Sequence, residues 1–174
     1  GSEMLLRRID DVLSMRARGS AVAQDDSQAT YASKVHSEDR ALDVRLPATT
    51  LHNRVRALAA WPGTHLWVRI VDTVTGAATP GKVQLLATRP LLVDEVPEVI
   101  AAGLADASNT EVRRRIHFIG GRLLVPCGSD TMLEVLEVKN PGKPKLRRGE
   151  EKRSLSAIDF MRSLGKRKRL IVYH

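Results

Sequence analysis

Apolar residues near the start of the chain recur at the spacing of an amphipathic helix. The positions three or four residues apart are Leu5, Leu6, Ile9, Val12 and Leu13. This periodicity predicts a helix over residues 3–19, with Gly19 suited to end it. The residues that follow, up to Ser27, are small and polar, which is typical of a linker. Because the helix follows Gly1 and Ser2 without a clear start signal, we expect the chain to be part of a longer protein.

Further helices are predicted at three other places. Pro47 can occupy a first helical turn without losing a hydrogen bond, and Trp61-Pro62-Gly63 would end the helix that follows it. The apolar stripe of this helix is predicted at Leu51, Val55 and Leu58. The alanine-rich segment 95–107 suggests a short helix within an insertion. Ser156 and Asp159 have the spacing of a capping box, so a final helix should begin there.

The remaining apolar runs predict strands, each bounded by turn residues: 65–74, 81–88, 113–119, 122–127 and 131–138. Gly120-Gly121 joins two of these runs as a hairpin with a primed turn, in which both central residues need positive φ. The last run alternates imperfectly, which predicts either a bulge or a strand buried on both faces. With about five strands and two or three peripheral helices, the chain belongs to the mainly β (α+β) class.

Composition limits the kinds of protein that the chain can be. It has 174 residues, of which 43% are hydrophobic and 28% charged, so a packed domain is possible. No apolar run approaches the roughly 20 residues of a membrane span. Residues 1–110 hold 12 basic and 13 acidic side chains, whereas residues 111–174 hold 16 basic and 7 acidic. This asymmetry favours a polyanionic partner, although a solvated basic tail is the alternative.

Residues that could carry catalysis are scattered. The five histidines and the single cysteine lack metal-ligand spacing, and neither a glycine-rich phosphate loop nor a nucleophile elbow is present. His36, close to Asp39, is interpreted as part of a surface turn, and Cys127 as a small buried side chain. We therefore expect a binding domain with no catalytic residue and no metal site.

Cations that could contact nucleic acid fall in two groups. The main predicted contact is the loop 139–153, with Lys143, Lys145, Arg147, Arg148, Lys152 and Arg153. A second patch would hold Arg54, Arg56, Arg113, Arg114 and Arg115, and the basic residues 166–169 are the fallback. Only six aromatic residues are present, and most are assigned to the core. Because single-stranded bases usually need stacking rings, the expected ligand is a folded, double-helical nucleic acid.

Several short motifs resemble the C-terminal domain of methionyl-tRNA formyltransferases. In chain order they lie at 29–34, 51–57, 61–63, 133–138, 141–143 and 156–160, so the resemblance spans roughly residues 29–164. The chain departs from the family at Leu42-Asp43-Val44, where Ile-Asp-Trp is usual, and at Ala59-Ala60, where Asn-Pro is usual. Residues 90–112 resemble an insertion, and 144–153 lengthen the basic loop.

The resemblance implies a domain organisation and a function. Residues 1–28 would be a tag remnant, interdomain helix and linker. Residues 29–174 would form an open, OB-like β-barrel with a basic C-terminal tail. Such a domain holds initiator methionyl-tRNA for an N-terminal catalytic domain, which binds 10-formyltetrahydrofolate. The motifs of that catalytic domain are absent, so we expect no cofactor, metal or membrane partner here and no formyl transfer by this chain alone. The divergence suggests a mitochondrial or other organellar protein, with the bacterial cytoplasm as the alternative.

Two other functions remain open at this point. Related C-terminal domains occur in formyltransferases that act on sugar nucleotides or folate, but these have no polyanion to hold. A non-enzymatic RNA-binding or ribosome-associated protein could also have kept only this domain.

Overall fold

The computed structural model describes residues 2–106, 108–139 and 154–173. The chain divides into two compact units, residues 1–34 and residues 35–174. The first unit contains helix α1 (Ser2–Leu13) and the 3₁₀ turns Arg16–Ser20 and Asp26–Gln28. The predicted helix over residues 3–19 is therefore correct in place, but its α-helical part ends at Leu13. Met15 adopts a left-handed conformation, with φ of 61°, where the α-helix gives way to the 3₁₀ turn.

The second unit is built on antiparallel strands. These are β1 (Thr64–Asp72), β2 (Ala78–Leu91), β3 (Arg115–Ile119), β4 (Arg122–Cys127), β5 (Thr131–Lys139), β6 (Ser154–Ser156) and β7 (Lys168–Val172). Six of them follow one another in the order β2-β1-β7-β3-β4-β5, and pairing of β2 with β5 closes them into a barrel. Strand β6 pairs with β5 outside this ring. The mainly β class with a barrel is confirmed, and in this structure the barrel is closed.

Among the described residues, four α-helices accompany the barrel: α2 (Ala48–Leu58), α3 (Glu98–Ala105), α4 (Thr110–Arg114) and α5 (Ala157–Leu164). Helix α2 buries Leu51 and Val55, two residues of its predicted stripe, in the main core. That core also holds Leu66, Leu85 and Val135 from three barrel strands. Burying such aliphatic side chains supplies the main driving force for folding, at roughly 1.5–3 kcal/mol for each one.

The sequence signals around the hairpin are confirmed. Gly120 and Gly121 have φ of 59° and 79°, as the primed turn between β3 and β4 requires. In β5, four consecutive residues from Met132 to Val135 are buried, so the strand is covered on both faces. Its pairing with β2 also shifts register on either side of Ala87. Both explanations of the imperfect alternation therefore apply to β5.

The segment interpreted as a basic C-terminal tail is instead strand β7, which lies between β1 and β3. Leu170 and Val172 point into the core, while Arg169 just before them is exposed and Ile171 between them is half-buried. The alternation of buried and exposed residues in β7 is short, and the run of cations from Lys166 to Arg169 makes it hard to recognise in the sequence. Gly165, with φ of 89°, ends α5 and turns the chain back into this strand.

The insertion near residues 90–112 covers one side of the barrel. Ile100 and Leu104 of α3 form a second core with Leu124 of β4 and Met132 of β5. Helix α4 begins at the cap Asn109, whose side chain accepts a hydrogen bond from the Val112 amide. This layer ends directly at β3, so it fixes where Arg115, the first residue of that strand, emerges.

Candidate nucleic-acid interface

The structure describes five of the eleven residues predicted to contact nucleic acid: Arg54, Arg56, Arg113, Arg114 and Arg115. Six of the eleven lie outside the described residues: Lys143, Lys145, Arg147, Arg148, Lys152 and Arg153. Arg54 and Arg56 lie on α2, where Arg56 is exposed and Arg54 half-buried.

The three consecutive arginines that end α4 and begin β3 have different surroundings. Arg113 donates to the Asp130 carboxylate at 2.8 Å and to the Leu104 carbonyl, so it ties the insertion to the β4–β5 turn. Arg114 is exposed beside a cavity of about 340 Å³. Arg115, the first residue of β3, faces a larger groove. Of the three, Arg115 is therefore the best placed to meet a ligand together with other cations.

That groove, which we call the cationic groove, lies between β3, α5 and β7 and has a volume of about 480 Å³. Its basic lining residues are Arg115, Arg162, Lys166, Lys168 and Arg169. Phe118 and Met161 add apolar surface to its walls. The fold thus joins Arg115, from the predicted second patch, to the residues that the sequence suggested only as a fallback.

Helix α5 forms one wall of the groove, and its start and end are set by residues that the sequence already marks. The Ser156 hydroxyl caps α5 by accepting a hydrogen bond from the Asp159 amide and donating one to the Asp159 carboxylate at 2.8 Å, as the capping pair predicted. Phe160 faces the core, which leaves Met161 and Arg162 toward the groove. The Gly165 amide then bonds to the carbonyls of Met161 and Arg162, and this positions Lys166 at the rim.

Carboxylates neutralise only part of the charge in the groove. Lys168 lies 2.8 Å from Asp72, and this lysine, together with the amides of Thr75 and Val74, holds the pKa of Asp72 well below its ordinary value. Arg169 lies 3.7 Å from Glu111, a longer contact.

The other cations of the groove are less constrained. Arg162 lies 3.6 Å from Asp159, whose carboxylate also accepts the hydrogen bond from Ser156. Arg115 and Lys166 have no ion pair with any residue that the structure describes. Since an arginine fork and a lysine ammonium both bind phosphate, these two are the most available contacts in the groove.

A second cationic surface adjoins the groove on the outside of the barrel. On this β1–β7 face, Trp67 and Arg69 of β1 alternate with buried Leu66 and Val68. Register places Lys82 of β2 opposite Trp67, and Ile171 of β7 opposite both Arg69 and Arg115. Residues directly opposite in antiparallel strands share a face, so Arg69 and Arg115 flank Ile171.

The assignment of most aromatic residues to the core is wrong. Only Phe160 is buried, whereas the five exposed aromatic residues are Tyr31, Trp61, Trp67, Phe118 and Tyr173. For Trp67 the signal was present in the sequence, because its neighbours Leu66 and Val68 alternate inward and leave it facing out. The exclusion of single-stranded RNA, which depended on a shortage of exposed rings, therefore no longer holds.

The Trp67 ring has a fixed setting. The imidazole of His65 meets it edge to face with ring centroids 5.2 Å apart, and the Lys82 ammonium lies 5.4 Å from its centroid. His65 is buried, and burial together with the charges of Lys82 and Arg40 lowers its pKa to about 4. The imidazole is therefore neutral at pH 7, and the surrounding charge is positive.

The residues considered as candidates for catalysis, His36 and Cys127, have no catalytic environment in the described structure. The backbone amide of His36 bonds to the Asp39 carboxylate at 2.8 Å, which confirms the surface turn. Cys127 is half-buried, and burial raises the pKa of its thiol to about 12, so it is not activated as a nucleophile. Within residues 2–106, 108–139 and 154–173, no cluster of three His, Cys, Asp or Glu side chains could hold a metal ion. No helix in these same ranges has the length and apolar character needed to cross a bilayer.

Fold and surface together define a class of protein: a small β-barrel that concentrates cations along one groove and the adjoining strand face. Comparison with known families makes this specific, because residues 34–163 match the family model described as formyl transferase, C-terminal domain. The match covers well over half of the chain, and the chain belongs to this family.

Individual relatives agree with this assignment. The methionyl-tRNA formyltransferase of Nitrosococcus oceani is 30% identical over 161 residues, which cover 83% of this chain and 45% of the relative. The enzyme of the same name from Methylococcus capsulatus is 29% identical, covering 92% of this chain and 41% of the relative. A shorter match of 79 residues to the Solibacter usitatus protein reaches 47% identity, over 40% of this chain and 25% of the relative. The chain thus spans less than half the length of these relatives.

Proposed function

We propose that this chain is the tRNA-binding domain of a methionyl-tRNA formyltransferase. It would hold initiator methionyl-tRNA for formyl transfer by a catalytic domain in the rest of the protein, to which we assign 10-formyltetrahydrofolate. The family match and the names of the relatives support the enzyme class. The observation that supports tRNA docking most strongly is the cationic groove, in which five basic side chains from β3, α5, β7 and the turn between α5 and β7 face one cavity.

Docking would be electrostatic and largely independent of sequence. Arg115 and Lys166 would bind phosphate oxygens of the tRNA backbone, since neither is engaged by a carboxylate in the described structure. Phosphate contacts fix the register and orientation of a nucleic acid without reading its bases. The benefit for catalysis would be positional, because holding the tRNA lowers the entropic cost of bringing its aminoacyl end to the catalytic domain.

The test is the affinity of the chain for fluorescently labelled initiator methionyl-tRNA, measured by anisotropy. Replacing both Arg115 and Lys166 with Gln should weaken binding by roughly tenfold for each charged hydrogen bond lost. A control with Arg7→Gln and Arg45→Gln makes the same change in net charge at residues that do not line the groove, and it should bind nearly as well as the parent. Equal losses in the two double variants would mean that net charge alone attracts the tRNA. Absence of tRNA binding by the parent would instead favour a formyltransferase acting on a substrate other than tRNA.

A further inference from the structure

Trp67 is exposed on the surface of a strand, where a large aromatic side chain contributes little to the stability of the fold. It lies in the middle of β1, and its side chain is 49% exposed although its neighbours Leu66 and Val68 are buried. Burying a tryptophan would ordinarily contribute more to stability than burying almost any other side chain. An exposed ring at the centre of a strand is therefore available for a ligand.

The ring is also held in place before any ligand arrives. His65, two positions earlier on β1, supports it edge to face at 5.2 Å, and Lys82 flanks it at 5.4 Å. The Trp67 carbonyl accepts the amide of Tyr173 at 3.2 Å, so the end of β7 fixes the backbone on the other side. A ring with so little freedom loses little entropy on stacking, which favours binding.

The chemistry around Trp67 selects the occupant. Lys82 lies directly opposite it, and Arg69 is two residues further along β1 on the same face. A ring bordered by cations suits a group that combines a flat π surface with phosphate, which is a nucleotide. Bases inside a double helix are already stacked on each other, so only an unpaired base can present its face to a protein ring.

We propose that Trp67, supported by His65 and flanked by Lys82, stacks an unpaired base of the tRNA whose backbone the cationic groove holds. This inference rests on the proposed function, and it adds a single-stranded feature of the tRNA to the double-helical contacts expected from charge. The β1–β7 face adjoins the groove through Arg115, so one RNA can reach both.

The chain has two tryptophans, which allows a direct spectroscopic test. Trp61 is exposed, so a Trp61→Phe variant leaves Trp67 as the single tryptophan, which can be excited selectively over the two tyrosines, without disturbing a core. A short unstructured RNA should quench its fluorescence to saturation, whereas an RNA duplex of equal length should not. In the reciprocal Trp67→Phe variant, the fluorescence of Trp61 should stay unchanged. Equal quenching by duplex and single strand, or none by either, would overturn the proposal.

Affinity gives a second readout. Trp67→Leu keeps an apolar side chain but removes the π surface, and it should weaken binding of the short RNA by roughly 5- to 150-fold, the range for one stacked base. Trp67→Phe should restore much of this loss, and a thermal melt shows whether each variant is folded. Normal tRNA binding without quenching of Trp67 would refute the stacking alone. Absence of tRNA binding would refute the proposed function.

Discussion

The two sides of the barrel use arginine in opposite ways. On the side covered by the insertion, Arg89 of β2 and Arg122 of β4 both donate to the Glu134 carboxylate, at distances between 2.8 and 3.3 Å. On the β1–β7 face, Arg69 and Arg115 have no ion pair among the described residues. All four residues are arginines, but Arg89 and Arg122 stabilise the fold. The arginines at positions 69 and 115 are available to a ligand. An arginine is structural here when it lies beside the buried Glu134 carboxylate, and the local number of cations does not decide its role.

Glu134 shows why the covered side is structural. Burial opposes its ionisation, but the hydrogen bonds from Arg122 and Arg89 outweigh that cost and hold its pKa below the ordinary value. Its side chain is only 8% exposed, so neither arginine could be replaced there by water without a penalty.

The largest expected effect comes from breaking this cluster. Glu134→Gln keeps the shape of the side chain but removes its charge, which leaves Arg122 without its carboxylate partner and Arg89 with Glu95 alone. We expect the free energy of unfolding to fall by about 3 kcal/mol in urea titrations, as for other broken buried ion pairs. Glu137→Gln, at an exposed position on the same strand, is the control and should be nearly neutral. An unchanged free energy of unfolding in Glu134→Gln would show that the cluster of Arg89, Arg122 and Glu134 does not stabilise the fold.

The burial of His65, together with the positive charges of Lys82 and Arg40 near it, should also make the protein sensitive to acid. The pKa of His65 is about 4 in the folded state and near 6.5 when unfolded, so below pH 6.5 the unfolded chain binds a proton that the folded chain does not. Stability therefore falls as the pH falls, by about 2 kcal/mol between pH 7 and pH 5. His117, whose pKa is also lowered by burial, adds to the same trend. His65→Gln should remove most of this slope of stability against pH, and an unchanged slope in this variant would contradict the account.

The smallest effect on stability is expected for the two arginines of the β1–β7 face, exposed Arg69 and half-buried Arg115. Arg69→Gln and Arg115→Gln should each change the free energy of unfolding by less than about 0.5 kcal/mol, as is usual for surface substitutions without a partner. Matched urea titrations of the four single variants, at positions 69, 115, 89 and 122, would measure the comparison directly. A loss at Arg115 as large as that at Arg122 would show that both sides are structural.

Much of this fold is readable from the sequence, because its signals are local. The Gly120-Gly121 turn, the Ser156 cap and the stripe of α2 each depend on a few neighbouring residues. Strand β7 was missed because its alternation covers only five residues and begins within a run of cations. Its place between β1 and β3 is a long-range pairing that no local pattern contains.

The candidate site was less predictable for the same reason. The groove joins Arg115 to residues about 50 positions later in the chain, and only the closed barrel brings them together. The sequence also gave no way to tell that Arg113 is held by Asp130 while Arg115 is free of such a partner in the described structure. The organellar location stays a prediction.

The central claim is that the cationic groove holds the tRNA backbone, and the salt dependence of binding tests it most directly. Two variants should be compared with the parent: Arg115, Lys166 and Arg169 changed to Gln, and Lys143, Lys145, Arg147 and Arg148 changed to Ser. Each lost phosphate contact lowers the slope of log K against log salt by roughly 0.7–0.9. The account predicts that the groove variant flattens the slope by roughly two units or more. An unchanged slope in the groove variant, with a flattened slope in the 143–148 variant, would contradict it and move the interface to the 139–153 loop.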